Sequence, residues 1–112
     1  MGTRRVQSQR RLAPEVEAGA FTVIREAANN AIKTGRAGRV DIDLYDDGNA
    51  VIAVVEDDGK GFDVAAVLEN YAKRGSLGLL QMRESARLIG AQLSLDSSPG
   101  QGTRVRLRIP AQ

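Results

Sequence analysis

The chain has no cysteine, no histidine and no tryptophan among its 112 residues. Without cysteine there can be no disulfide framework, thiol nucleophile or thiolate metal site. Without histidine there is no histidine general base, no Ser-His triad and none of the common zinc sites. Aromatic residues make up only 4% of the chain, too few for a platform that stacks nucleic-acid bases on rings. Basic residues cluster at Arg4, Arg5, Arg10 and Arg11 and again at Arg104, Arg106 and Arg108, yet the net charge is only +2. Solvated charge accounts for both clusters, and no nucleic-acid partner is expected. No apolar run approaches the roughly 20 residues of a membrane span, and no signal peptide is visible. The expectation is one soluble cytoplasmic domain with a modest core. A membrane tether in a full-length protein stays open.

What the chain does have is centred on Val51 to Asp63, reading VIAVVEDDGKGFD. The β-branched run favours a strand. It ends in acids and enters a glycine-spaced turn, Gly59-Lys60-Gly61, where backbone can approach a ligand closely. The same stretch also reads as a hairpin turn with two solvated acids.

Around it the chain alternates between two periods. Residues 1–13 show no apolar period and read as a linker or tail, leaving 14–112 as the domain. Pro14, Glu15 and Glu17 mark a helix start. Val16, Ala20, Val23, Ile24, Ala27 and Ala31 then recur at helical spacing up to Lys33. Thr34-Gly35 and Gly38 end the helix. Val40, Ile42 and Leu44 alternate with Asp41, Asp43 and Tyr45 as in a half-buried strand. Asp46-Asp47-Gly48-Asn49 turns that strand into the Val51 strand as an antiparallel hairpin. Val64 to Gly75 reads as a mobile, lid-like loop with a helical piece. A second helix runs from Leu79 to Gly90, with Leu80, Met82, Ala86 and Ile89 available for the core. Gln92–Leu95 and Thr103–Ile109 are two further strands. The order predicts a two-layer α/β sandwich, helices over one face of a mixed sheet, with a polar face toward water.

Three groups of residues can carry chemistry. Glu26, Asn30 and Lys33 fall within roughly 60° of arc on the first helix, beside its apolar face. A carboxylate, a neutral oxygen donor and a lysine suit a magnesium–phosphate complex; they are also an ordinary amphipathic surface. Asp57 stands where the strand ends. Beside an adenine, its carboxylate accepts a hydrogen bond from the exocyclic amine, whereas guanine presents an acceptor there, a mismatch of roughly 1–3 kcal/mol. Gly59 and Gly61 leave room for base and sugar. Gly75 and Gly78 precede the second helix, whose free N–H groups can bind phosphate; a plain loop-to-helix junction looks the same. No Gly-x-x-x-x-Gly-Lys-Ser/Thr occurs, so this is not a P-loop.

Together these stretches resemble a known family. Arg25-Glu26-Ala27-Ala28-Asn29-Asn30-Ala31-Ile32-Lys33 is similar to the N box of the GHKL ATPase superfamily. Glu56-Asp57-Asp58-Gly59-Lys60-Gly61-Phe62-Asp63 is similar to its G1 box, and Gly75-Ser76-Leu77-Gly78-Leu79 to its G2 box. Gly100-Gln101-Gly102-Thr103 resembles the Gly-x-Gly-Thr turn before the last strand. These motifs cover nearly all of residues 15–110 in the right order. The continuation Gly78-Leu79-Leu80-Gln81-Met82-Arg83-Glu84 is similar to the ATP-binding (HATPase) domains of bacterial two-component sensor histidine kinases.

The resemblance implies ATP and Mg2+ as cofactors, with Asn30 on the metal, Glu26 catalytic near the γ-phosphate and Lys33 on phosphate. Asp57 would take the adenine amine with Thr103 nearby, directly or through water. Gly59, Gly61, Gly75, Gly78 and Leu79 would line the nucleotide. The implied partner is a histidine-bearing dimerisation domain, with a response regulator downstream; the isolated domain would be a monomer and the full-length kinase a homodimer. The chain departs from the family at Thr34, and at Ser76 and Leu77, where histidine is common. The departures touch ancillary phosphate contacts, not the adenine pocket. A serine kinase of the anti-sigma type, or a nucleotide-binding module without transfer, are the alternative readings.

Overall fold

The computed structural model describes residues 3–6, 12–33, 35–61 and 77–110. The elements in chain order are β1 (Thr3–Val6), α1 (Pro14–Lys33), β2 (Val40–Asp46), β3 (Ala50–Asp57), α2 (Leu77–Leu88), β4 (Gln92–Ser97) and β5 (Thr103–Pro110). The sheet has five strands in the order β1-β2-β3-β5-β4. β1 pairs parallel with β2, and every other pairing is antiparallel. The predicted α/β sandwich over a mixed sheet is therefore the observed one. β1 is an addition: it lies in the segment read as a linker, where four residues with a single valine give no readable alternation.

Both helices cover one sheet face. α1 buries Val16, Ala20, Val23, Ala27 and Ala31, the stripe that its spacing predicts. These side chains meet Val51, Ala53 and Val55 of β3 and Val105, Leu107 and Ile109 of β5, together with Met82 and Ala86 of α2. α1 and α2 approach closely at Gly19, where an added methyl would lie 2.5 Å from Ile89 Cγ2. α2 starts two residues earlier than expected, so Gly78 and Leu79 lie in its first turn. Leu80, expected in the core, is 37% exposed. The helix stops at Gly90 as predicted, at φ 69°. The Ala91 N–H donates to the Ala86 carbonyl (2.9 Å) and the Gly90 N–H to the Arg87 carbonyl (3.1 Å), the paired bonds of a Schellman cap.

The β2–β3 hairpin turns on Gly48, at φ 95°. The Asp47 carboxylate accepts from the Asn49 and Ala50 N–H groups at 2.8 and 2.7 Å. Those bonds, chiefly the one from Asn49, hold its carboxyl below the ordinary aspartate value. The far sheet face is less wet than its alternation suggests. Ala50, Ile52 and Val54 point there, yet they are buried with Tyr45 packed against them. β3 is therefore a central strand buried on both faces. Among the described residues no helix is long and apolar enough to cross a membrane. The lid-like reading of 64–75 lies outside the described residues.

Candidate functional site

The sheet register assembles a polar row at one end of the core. Asp57 of β3 is the cross-strand partner of Thr103 in β5, and Thr103 is the partner of Ser97 in β4. The preceding row on the same face is apolar: Val55, Val105 and Leu95. Alternation at period 2 thus carries three polar side chains to the rim of the helix-covered face. Directly opposed side chains have Cβ atoms about 4.5–5.5 Å apart, so Asp57 and Thr103 can address one ligand group together. Asp57 is half-buried. Its Oδ1 accepts the Gly59 N–H at 2.7 Å, which fixes the carboxylate and leaves Oδ2 for a ligand. The Ser97 hydroxyl lies 2.9 Å from the Gly102 carbonyl oxygen and 2.9 Å from Thr103 Oγ1.

Two other segments hold the loop that follows Asp57. The Lys60 N–H donates to the Gly35 carbonyl (2.8 Å), and the Gly100 N–H donates to the Lys60 carbonyl (2.5 Å). The glycines here answer to backbone packing. A Cβ at Gly59 would sit 2.7 Å from the Gly35 carbonyl oxygen. One at Gly61 (φ 67°) would overlap the Ser98 carbonyl, and one at Gly102 (φ 75°) would overlap the Asp57 carbonyl. The room that the sequence reading gave to base and sugar is, for these neighbours, room for other backbone. Asp58, which sequence reasoning passed over, accepts the Gly38 and Arg39 N–H groups, both at 2.9 Å. Its only sequence signal is its place beside Asp57 in a glycine turn.

Glu26 and Asn30 are half-buried on α1, and Lys33 is exposed. None of the three makes a side-chain hydrogen bond or ion pair with another described residue. The end of α1 reaches the Asp57 loop through Gly35, whose N–H donates to the Asn30 carbonyl at 2.9 Å. So the helix end that bears Asn30 abuts the loop that bears Asp57. A cavity of about 490 Å3 opens at this end of the sheet and takes in Asp57 and Thr103, but not Glu26, Asn30 or Lys33. It extends instead over Asp41, Glu56 and Asp96, with Arg39 and Arg104 among them. Gly78 and Leu79 stand in the first turn of α2; Gly75 lies outside the described residues. Among the described residues no three acids gather to hold a metal by themselves.

Residues 15–112 match the family model described as histidine kinase-, DNA gyrase B- and HSP90-like ATPase. The chain is 43% identical over 103 residues to an uncharacterized sensor-like histidine kinase of Chloroflexus aurantiacus, covering 91% of this chain and 17% of that protein. It is 34% identical over 100 residues to the signal transduction histidine-protein kinase/phosphatase DegS of Bacillus subtilis, covering 89% of this chain and 26% of DegS. The chain thus spans about a quarter or less of these relatives. Among solved structures, the ATP binding domain of PrrB from Mycobacterium tuberculosis superposes with a TM-score of 0.68 at 31% identity, over 85% of this chain and 68% of that one. The motifs, the sheet and these likenesses agree, and the chain belongs to the histidine kinase-, DNA gyrase B- and HSP90-like ATPases, as an ATPase domain of the sensor histidine kinase kind.

Proposed function

We propose that this domain binds ATP with magnesium and presents the γ-phosphate to a histidine on a separate helical dimerisation domain, as the catalytic part of a sensor histidine kinase. The observation that carries the proposal is the pairing of Asp57 with Thr103, with Asp57 Oδ1 already bound to the Gly59 N–H. An ionised carboxylate only accepts hydrogen bonds, and the free Oδ2 suits the amine of adenine. On the α1 side, Asn30 offers one neutral oxygen and Lys33 a mobile charge. That donor set fits magnesium held largely by phosphate and water, which needs few protein ligands. When bound, magnesium would neutralise charge on the phosphate chain. Glu26, one helical turn before Asn30, would orient the incoming imidazole or take its proton.

In the proposed step the bond from the γ-phosphorus to the bridging oxygen of ADP breaks and a phosphorus–nitrogen bond forms to imidazole. The imidazole proton leaves toward Glu26 or water. Catalysis of this kind is mostly positioning and electrostatics. A response regulator would receive the phosphoryl group afterwards. The relatives compared are named as histidine kinases, which supports this reading over the anti-sigma-type serine kinase.

The test is calorimetry with ADP and GDP on the parent and Asp57→Asn chains. The Gly59 N–H demands an oxygen at the Oδ1 position, so the asparagine would turn its amide NH2 toward the adenine amine, donor against donor. ADP binding is expected to weaken about ten-fold to a hundred-fold, the equivalent of roughly 1–3 kcal/mol. An unchanged ADP affinity would remove Asp57 from the base pocket.

A further inference from the structure

We propose that Ser97 is a positioning residue for base selection: it turns the Thr103 hydroxyl into an acceptor beside Asp57. The inference rests on the reading of this row as the adenine site. Ser97, Thr103 and Asp57 stand in one row across β4, β5 and β3. The Ser97 hydroxyl is 2.9 Å from the Gly102 carbonyl oxygen and 2.9 Å from the Thr103 hydroxyl. A carbonyl oxygen can only accept, and serine has one hydroxyl proton to give. That proton goes to Gly102. In the second contact Ser97 is then the acceptor and Thr103 the donor. The Thr103 proton is held toward β4, and what remains on the Asp57 side is lone pair.

Asp57 is acceptor-only as well, so the row offers a base two acceptors and no donor. The exocyclic amine of adenine carries two N–H donors and matches it. The carbonyl of guanine at the same position carries none. A freely rotating threonine hydroxyl would swing round and donate to that carbonyl, relieving the mismatch. Ser97 withholds this relief, so discrimination arises by leaving the wrong base unpaired. The motif reading singled out Thr103 alone; Ser97 comes to light only through the β4–β5 register.

The test measures dissociation constants for ADP and GDP without metal in the parent, Ser97→Ala, Ser97→Cys and Thr103→Val chains and in the Ser97→Ala/Thr103→Val double variant. The parent is expected to prefer ADP. Ser97→Ala should reduce that preference about five-fold, the size of one neutral hydrogen bond, by strengthening GDP relative to ADP. Ser97→Cys, which nearly keeps the volume, should move the preference the same way if the alanine chain does not fold. On the Thr103→Val background, Ser97→Ala should leave the preference unmoved. If the Ser97 variants weaken both nucleotides equally and keep the ratio, Ser97 only holds the turn and the inference is overturned. A parent that binds neither nucleotide, or both alike, overturns the adenine reading itself and this inference with it.

Discussion

Asp57 and Asn30 divide the expected work between base and phosphate. Asp57 is pinned by a backbone N–H, whereas Asn30 has a half-buried side chain without a described partner. An unpartnered amide at a helix end that touches the Asp57 loop is available to a ligand. Asn30→Ala should therefore weaken nucleotide binding in the presence of magnesium by about ten-fold, a lost ligand of a charged centre being worth more than a neutral hydrogen bond. Without magnesium the ADP affinity should barely change. Titrations with and without the metal check this, and equal losses in both would assign Asn30 a structural role. At this scale the sequence nominates residues for chemistry, because chain-local motifs name them. It did not show why the glycines are glycine. That reason lies in contacts with Gly35, Ser98 and Asp57 carbonyls, brought together from three separate loops.

At the scale of elements, local period and cap chemistry made α1, the hairpin and the Gly90 stop legible. Each is a pattern within one stretch of chain. What local pattern cannot hold is the partner of each strand. The far face of β3 shows this: Ile52 lies on the sheet face expected to be polar, yet it is 0% exposed, with Tyr45 packed against its cluster. Ile52→Ala is expected to cost about 2–5 kcal/mol, as for a core position, against less than about 0.5 kcal/mol for a wet strand face. Urea denaturation separates the two.

The hairpin turn makes a second element-scale prediction. Asp47 has a folded-state pKa below its ordinary 3.8 because its carboxylate accepts the Asn49 and Ala50 N–H bonds. A depressed acid contributes stability above its unfolded pKa and loses it as pH falls through the lowered value. The melting temperature of the parent should exceed that of Asp47→Asn at pH 6, and the difference should shrink once the pH drops below about 4. A difference that stays constant with pH would take the ionised carboxylate out of the turn.

The whole molecule is a two-layer domain with its polar row where β3 and β4 end, β5 begins and α1 abuts the loop after β3. The sequence anticipated the layers and most elements. It did not anticipate β1, four residues too short for a period, nor the Asp57–Thr103–Ser97 alignment, which depends on the register of three strands. The chain contains no histidine, so a histidine kinase of this sequence must pass its phosphoryl group to another segment or molecule. Without covalent linkage the effective concentration of acceptor is low, and transfer should be slow. Glu26→Gln should reduce transfer about 10²–10⁴-fold while changing ATP binding little, since its role belongs to the transition state.

The most direct measurement incubates the chain with ATP labelled at the γ-phosphate and magnesium, alone and with a histidine-bearing dimerisation domain, then treats the products with acid and with base. The account predicts no label on this chain by itself, and slow labelling of the partner that survives base and is lost in acid, as a phosphoramidate should be. Acid-stable label on a serine of the partner, or no transfer at all from a chain that binds ATP tightly, would contradict it.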